Sequence, residues 1–123
     1  MKKLPCTIGI DYGTNSVRAL VVRCCDGEEL GVGVVEYPTG DQGILLDPFD
    51  SNLARQHPGD YLFGLESAVR MALDSDGEAD PYFSADCVIG IGVDTTGSSP
   101  IPVNELNVAL GMKPEFRDHL SAQ

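Results

Sequence analysis

Two short stretches of the chain carry residues able to handle phosphate and a polar substrate. The first is "GIDYGTNSVRALVV" (Gly9 to Val22), in which Asp11 is followed by Gly13, Thr14, Asn15 and then Arg18. The second is "GVDTTGSSPIPV" (Gly92 to Val103), in which Asp94 is followed by Thr96, Gly97 and Ser98. A turn such as Gly13-Thr14-Asn15-Ser16 offers closely spaced backbone N–H groups and hydroxyls, which cradle phosphate oxygens without a helix dipole. Gly13 lets the backbone approach a ligand closely. Asp11 cannot face a phosphate directly, because like charges repel. It becomes useful when Mg²⁺, through its waters, stands between the carboxylate and the phosphate. Arg18 would add a charge-assisted bond if it points toward the same place. Taken alone, Asp11 and Gly13 would also suit a plain tight turn. Asp94 is open to three roles: touching a polar ligand, touching a metal ion, or capping the turn that follows it.

Other nucleotide-binding designs are excluded by spacing. No G-x-x-x-x-G-K-[ST] loop is present, and Gly9 and Gly13 do not form G-x-G-x-x-G. A strand, not a helix, follows Gly13.

The elements that must hold these residues read as follows. Thr7–Asp11 is a short buried strand, and Ser16–Cys24 is a second that follows at once. Asp26-Gly27 signals a hairpin, and Glu29–Tyr37 is a third strand stopped by Pro38. Residues 38–57 break every period and read as a long loop. Pro58 opens a helix in which Tyr61, Leu65, Ala68, Val69, Ala72 and Leu73 fall on one stripe. Asp74-Ser75-Asp76-Gly77 ends it, and the acidic run through Asp80 reads as a solvated loop. Cys87–Val93 is a further apolar strand closed by Asp94. The tail holds a weak strand over Ile101–Val103, a turn near Asn104–Asn107 and a short helix around Pro114–Leu120. The expected fold is α/β, a β-β-β-α-β unit with a mixed sheet whose last strand is parallel to a neighbour. "IGIDYGT" (Ile8 to Thr14) echoes "IGVDTTG" (Ile91 to Gly97). If those two strands are parallel neighbours, Asp11 and Asp94 emerge at one sheet edge, where ligands of open α/β sheets collect.

Composition narrows the partners. The chain has 123 residues and a net charge of -11, so nucleic acid and anionic membrane surfaces are unfavourable partners. No apolar run approaches the ~20 residues that span a bilayer. The start of the chain lacks the apolar segment of a signal peptide, so a cytoplasmic location is expected. Cys6, Cys24, Cys25 and Cys87 form no C-x-x-C pair, and His57 and His119 stand apart from them, so zinc-ligand spacing is absent. Cys24 and Cys25 would point to opposite faces if both lay on a strand. His57, just before Pro58, reads as a residue opening the helix and not as a base. Tyr61 and Phe63 read as packing residues.

This arrangement resembles the first half of the ribonuclease H-like domain of the actin and sugar-kinase superfamily. Within it, "GIDYGTNSVRALVV" resembles the opening signature of the FGGY carbohydrate kinases. "GVDTTGSSPIPV", "QHPGDY" (Gln56 to Tyr61) and "KPEF" (Lys113 to Phe116) resemble the L-ribulokinase branch of that family. The resemblance implies a cytoplasmic two-domain enzyme of pentose (arabinose) catabolism, which moves the γ-phosphate of ATP to a hydroxyl of ribulose. It implies that Asp11 serves Mg²⁺ and that Gly13, Thr14, Asn15 and, more weakly, Arg18 contact the ATP phosphates. It also implies that Asp94, Thr96, Gly97 and Ser98 belong to the lip of the sugar pocket.

Family members are several times longer than this chain. The resemblance therefore implies that residues 1–123 are the N-terminal part of the first domain. The catalytic base and the adenosine-holding domain are expected beyond Gln123, and the fragment is expected to be inactive alone. Another ketopentose, a polyol or glycerol as acceptor keeps the fold and changes the substrate. A non-catalytic binding module of the same fold is the rival of a different class. A sheet cut partway leaves an unpaired edge, so self-association or a homo-oligomer is expected.

Overall fold

The computed structural model describes residues 3–74, 80–97 and 99–123. Strands β1 (Cys6–Tyr12), β2 (Ser16–Arg23) and β3 (Glu29–Glu36) form the expected antiparallel meander. Their alternation is what bends the chain into a sheet with one buried face. Ile8 and Ile10 of β1, Val17, Ala19 and Val21 of β2 and Val35 of β3 are all buried, while their sequence neighbours face the other way. The β2 strand ends at Arg23, so Cys24 and Cys25 lie in the turn and are both exposed instead of alternating across a strand.

Two short strands follow, β4 (Leu45–Leu46) and β5 (Ala54–Arg55), paired antiparallel as a ribbon. This ribbon lies within residues 38–57, where the sequence shows only turn residues. Two-residue strands are too short to show a period, so pairing is the only sign of them.

Helix α1 (Pro58–Asp74) spans the stripe read from the sequence. Ala68 and Ala72 are fully buried, and Tyr61, Leu65, Val69 and Leu73 pack around the core. Proline at the first position and Asp60 in the first turn suit the helix start. Asp60 is itself buried and accepts hydrogen bonds from the Thr39 N–H at 3.1 Å and the Thr39 hydroxyl at 2.7 Å, fixing the post-β3 chain to the helix start. The helix sits on the sheet at glycine positions. A Cβ on Gly33 would lie 2.1 Å from the Ala68 carbonyl oxygen, and one on Gly64 would lie 2.6 Å from Val17 Cγ1.

Strand β6 (Val88–Thr95) then returns parallel to β1, giving the order β3-β2-β1-β6. Its register sets Ile8 beside Ile91, Gly9 beside Gly92 and Asp11 beside Asp94, so the sequence echo is a structural alignment of two neighbouring strand ends. The tail makes an isolated bridge between Val103 and Ala109, not a strand, and three one-turn 3-10 helices (Leu110–Met112, Pro114–Phe116 and Leu120–Ala122) instead of one α-helix. Asn104 anchors the expected turn by accepting hydrogen bonds from the N–H groups of Leu106 and Val108. No helix among the described residues is long and apolar enough to cross a membrane.

Candidate functional site

The carboxyl ends of β1 and β6, the hairpin tip between β1 and β2, and the chain just before α1 meet at one end of the sheet. Strand alternation sorts the residues there into two groups, one on each face.

Asp11, Arg18 and Asp94 occupy the face opposite the helix. Asp11 is the register partner of Asp94 on β6 and of Arg18 on β2, and all three are exposed. They line a shallow hollow floored by Gly9, Gly90 and Gly92. Asp94 Oδ1 accepts the Thr95 N–H at 3.0 Å, so one oxygen caps the local turn. Among the described residues Asp11 makes no ion pair with Arg18 and its carboxylate takes no hydrogen bond from another side chain. Two adjacent carboxylates, one of them uncommitted, suit a hard cation that keeps most of its waters. Among the described residues no set of three or more His, Cys, Asp or Glu side chains gathers into an all-protein cage.

The hairpin tip shows why its donors point outward. The carbonyls of Gly13, Thr14 and Asn15 are bound from the protein side, and that of Ser16 by the hairpin itself. Gly13 O accepts from the Tyr37 hydroxyl at 3.0 Å, Thr14 O from Gln56 Nε2 at 2.6 Å, and Asn15 O from the Tyr37 N–H at 2.9 Å. Ser16 O accepts from the Gly13 N–H at 2.8 Å. In a trans peptide the N–H points opposite to the C=O of the preceding residue, and no cis peptide is present among the described residues. Tying down the carbonyls of Gly13 and Thr14 therefore turns the N–H groups of Thr14 and Asn15 away from the body. Neither has a backbone partner among the described residues. Two adjacent outward donors are the backbone concavity that holds an anion. The Asn15 side chain is spent on structure, donating to Gln42 O at 2.8 Å.

Beneath the tip lie three tyrosines. Tyr61 packs edge-on to both Tyr12 and Tyr37, with centroids 5.7 Å apart in each pair. Burial, followed by the nearby tyrosines and by Asp11 and Asp60, pushes the Tyr37 hydroxyl up to about 12. Burial raises Tyr12 and Tyr61 as well. These hydroxyls stay protonated and act as hydrogen-bond donors across the ordinary pH range.

On the helix side of the sheet, a cleft of about 500 Å³ is lined by Thr14, Gln56, Tyr61, Thr96, Gly97 and Ser99, among others. A smaller adjoining cavity touches Gly13 and Thr96. The Thr96 and Ser99 hydroxyls lie 3.3 Å apart. Thr96 and Gly97 therefore share a wall with the hairpin, whereas Asp94 faces Asp11 on the far side of the sheet. Ser98 lies outside the described residues.

No family model matches the chain. Curated relatives do, and three of them illustrate the match. The ribulokinase of Vibrio parahaemolyticus serotype O3:K6 is 42% identical over 115 residues, covering 94% of this chain and 19% of the relative. That of Geobacillus thermodenitrificans is 40% identical over 117 residues, covering 89% of this chain and 19% of the relative. That of Halalkalibacterium halodurans is 36% identical over 117 residues, covering 92% of this chain and 20% of the relative. Nearly the whole chain is ribulokinase-like. It spans about a fifth of the length of the curated relatives it matches.

The ribulokinase-like segment brings more residues to the cleft than its composition and spacing single out. Arg55, Gln56 and Gln123 line it, and Tyr61 lines it besides packing in the core. Gln56 and Tyr61 sit inside "QHPGDY", so the motif was visible in the sequence and only its place in space was not. His57 serves structure, with Nδ1 2.8 Å from Gln123 Oε1 and its carbonyl accepting the Asp60 N–H.

Proposed function

We propose that this chain is the N-terminal part of the first domain of an ATP-dependent ribulokinase with a ribonuclease H-like fold. In this reading the catalytic base and the adenosine-holding domain lie beyond Gln123, and the enzyme works in the cytoplasm on L-ribulose. One observation carries the reading: a hairpin whose Gly13 and Thr14 carbonyls are held from behind presents the Thr14 and Asn15 N–H groups at the end of the strand that carries Asp11. The likeness to ribulokinases along the chain supports it.

Mg²⁺, when bound with ATP, neutralises charge that builds on the phosphoryl group in transfer. Asp11 would hold its waters, with the free oxygen of Asp94 as the second carboxylate. The Thr14 and Asn15 amides would donate to phosphate oxygens, and Gly13 allows the backbone to come close. Arg18, directly across from Asp11, supplies the local positive charge that the acidic whole does not. Thr96 and Gly97, with Ser98 between them and Ser99, offer short donors and acceptors of the kind that sort sugar hydroxyls. Phosphoryl transfer needs parts from both sides of its site, so residues 1–123 alone should not turn over.

The test uses the complete polypeptide that carries this segment. ATP consumption should depend on L-ribulose in a panel that includes other ketopentoses, polyols and glycerol. Asp11→Ala should lower kcat by about 100-fold or more, as expected when a group aimed at developing charge is removed. Turnover retained within a few-fold in that variant would remove Asp11 from the proposed role, and a preference for glycerol would replace the substrate.

A further inference from the structure

We infer that Gln56 is a positioning residue that aims the hairpin's amides and links them to the cleft; the inference rests on the ribulokinase reading above. The Gln56 side chain bridges two parts of the site. Its Oε1 accepts from the Tyr61 hydroxyl at 2.5 Å, and its Nε2 donates to the Thr14 carbonyl at 2.6 Å. A carbonyl only accepts, so the nitrogen must face Thr14, and the orientation of the amide is fixed by its partners.

The consequence follows from peptide geometry. The Thr14 C=O and the Asn15 N–H belong to one planar unit and point in opposite directions. By holding the carbonyl inward, Gln56 holds that N–H outward, toward where the terminal phosphate would lie. Gln56 also lines the cleft with Thr96 and Gly97. An amide has two N–H donors and two acceptor lone pairs, so after both bonds one donor and one acceptor are left for a hydroxylated ligand. Gln56 stands between the β4–β5 ribbon and α1. Tyr61, its partner, is held in turn by edge contacts to Tyr12 and Tyr37.

Gln56→Glu isolates the donor. The carboxylate still accepts from Tyr61 but repels the Thr14 carbonyl, so the peptide loses its tether. In the complete protein, calorimetry with a non-hydrolysable ATP analogue and with ADP, each with Mg²⁺, gives the readout. The variant should bind the analogue about tenfold more weakly, the scale of one hydrogen bond at an oriented site, while ADP binding stays within about twofold. Tyr61→Phe, which leaves the Thr14 tether and frees the other end of the amide, should lose less. A general structural defect would weaken both nucleotides equally or lower only the melting temperature. Equal weakening, or no weakening, overturns the inference while leaving the kinase reading intact. If Gln56→Glu does not fold, Gln56→Met, which keeps the length of the side chain and removes its donor to Thr14, is measured in its place, and unchanged discrimination there overturns the inference. A wild-type protein that binds neither nucleotide overturns the kinase reading itself.

Discussion

Tyr37 shows how one side chain sets both stability and site geometry. It is 3% exposed, donates its hydroxyl to Gly13 O and its N–H to Asn15 O, and so grips the hairpin at two points. Its hydroxyl is pushed up to about 12 by burial first and by neighbouring negative charge second. Because the folded form holds its proton more tightly than the unfolded chain, the contribution is complete below the ordinary tyrosine range near 10. It is lost as pH rises toward about 12. Urea unfolding of the 123-residue chain should therefore give a stability that falls as pH rises above about 10, with the raised Tyr12 and Tyr61 hydroxyls acting in the same direction. Tyr37→Phe should cost about 1 kcal/mol at neutral pH through the lost hydroxyl bond and should lessen the alkaline fall without abolishing it. An undiminished alkaline loss in the variant would assign the effect to other groups. The residues of the site were legible in the sequence to unequal degrees. Asp11 and Gly13 alone would suit a plain tight turn, and they stand out because an apolar strand ends at them and a second strand follows at once. Gln56 does not, since an amide takes its meaning from partners, and its two partners lie 42 and 5 residues away. The separation of Asp94 from Thr96 was equally hidden: a step of two along an ideal strand keeps the same face, but the strand ends at Thr95 and the chain turns.

At the level of elements, the helix–sheet contact depends on missing side chains. Gly33 pairs with Ala19 across β2 and β3, and the Ala68 turn of α1 rests on it. Gly64 occupies the corresponding position on the helix, against Val17. A methyl group at Gly33 meets backbone at 2.1 Å, which cannot rotate aside, whereas one at Gly64 meets a valine methyl at 2.6 Å. Both Gly33→Ala and Gly64→Ala should destabilise by about 1–3 kcal/mol, the usual cost of overpacking a dense core. Gly33→Ala should be the worse of the two, and denaturant midpoints rank them directly. Equal midpoints to wild type would mean that α1 sits further from the sheet. The meander, the helix and the parallel return strand were all legible because each carries a period: two along the strands and three to four along α1. The echo of "IGIDYGT" in "IGVDTTG" went further and matched the register of β1 with β6. The β4–β5 ribbon and the three one-turn helices of the tail were not legible, because pieces two or three residues long complete no period. They are held by pairing and by end contacts such as Gln123 Nε2 on the carbonyls of Phe116 and His119.

For the whole molecule, two opposing features decide how copies of this chain meet. Strand β6 is the last of the sheet, with eight residues and an open hydrogen-bonding edge. Ile89, Ile91 and Val93 lie on the same side of the sheet as buried Ile8 and Ile10, yet they are 62–70% exposed, because α1 covers β2 and β3 and stops short of β6. The strand carries no lysine and no proline, the usual guards of a free edge. Against this stands a net charge of -11, which makes copies repel. The two effects differ in range. Repulsion between exposed charges is screened over a Debye length of about 10 Å at 0.1 M salt and about 3 Å at 1 M, while edge pairing and apolar contact act at touching distance and are not screened. The isolated 123-residue chain should therefore be largely monomeric at low ionic strength and should associate as salt is added, which sedimentation or light scattering across a salt series will follow. Ile91→Lys puts a charge in the middle of the apolar stripe and should keep the chain monomeric throughout that series. In a complete kinase of the proposed kind, the same stripe would be covered within one polypeptide, and the same substitution should instead lower the melting temperature without changing the assembly state. Salt-independent association that survives Ile91→Lys would move the contact away from β6, to another exposed apolar surface such as Leu106 in the tail.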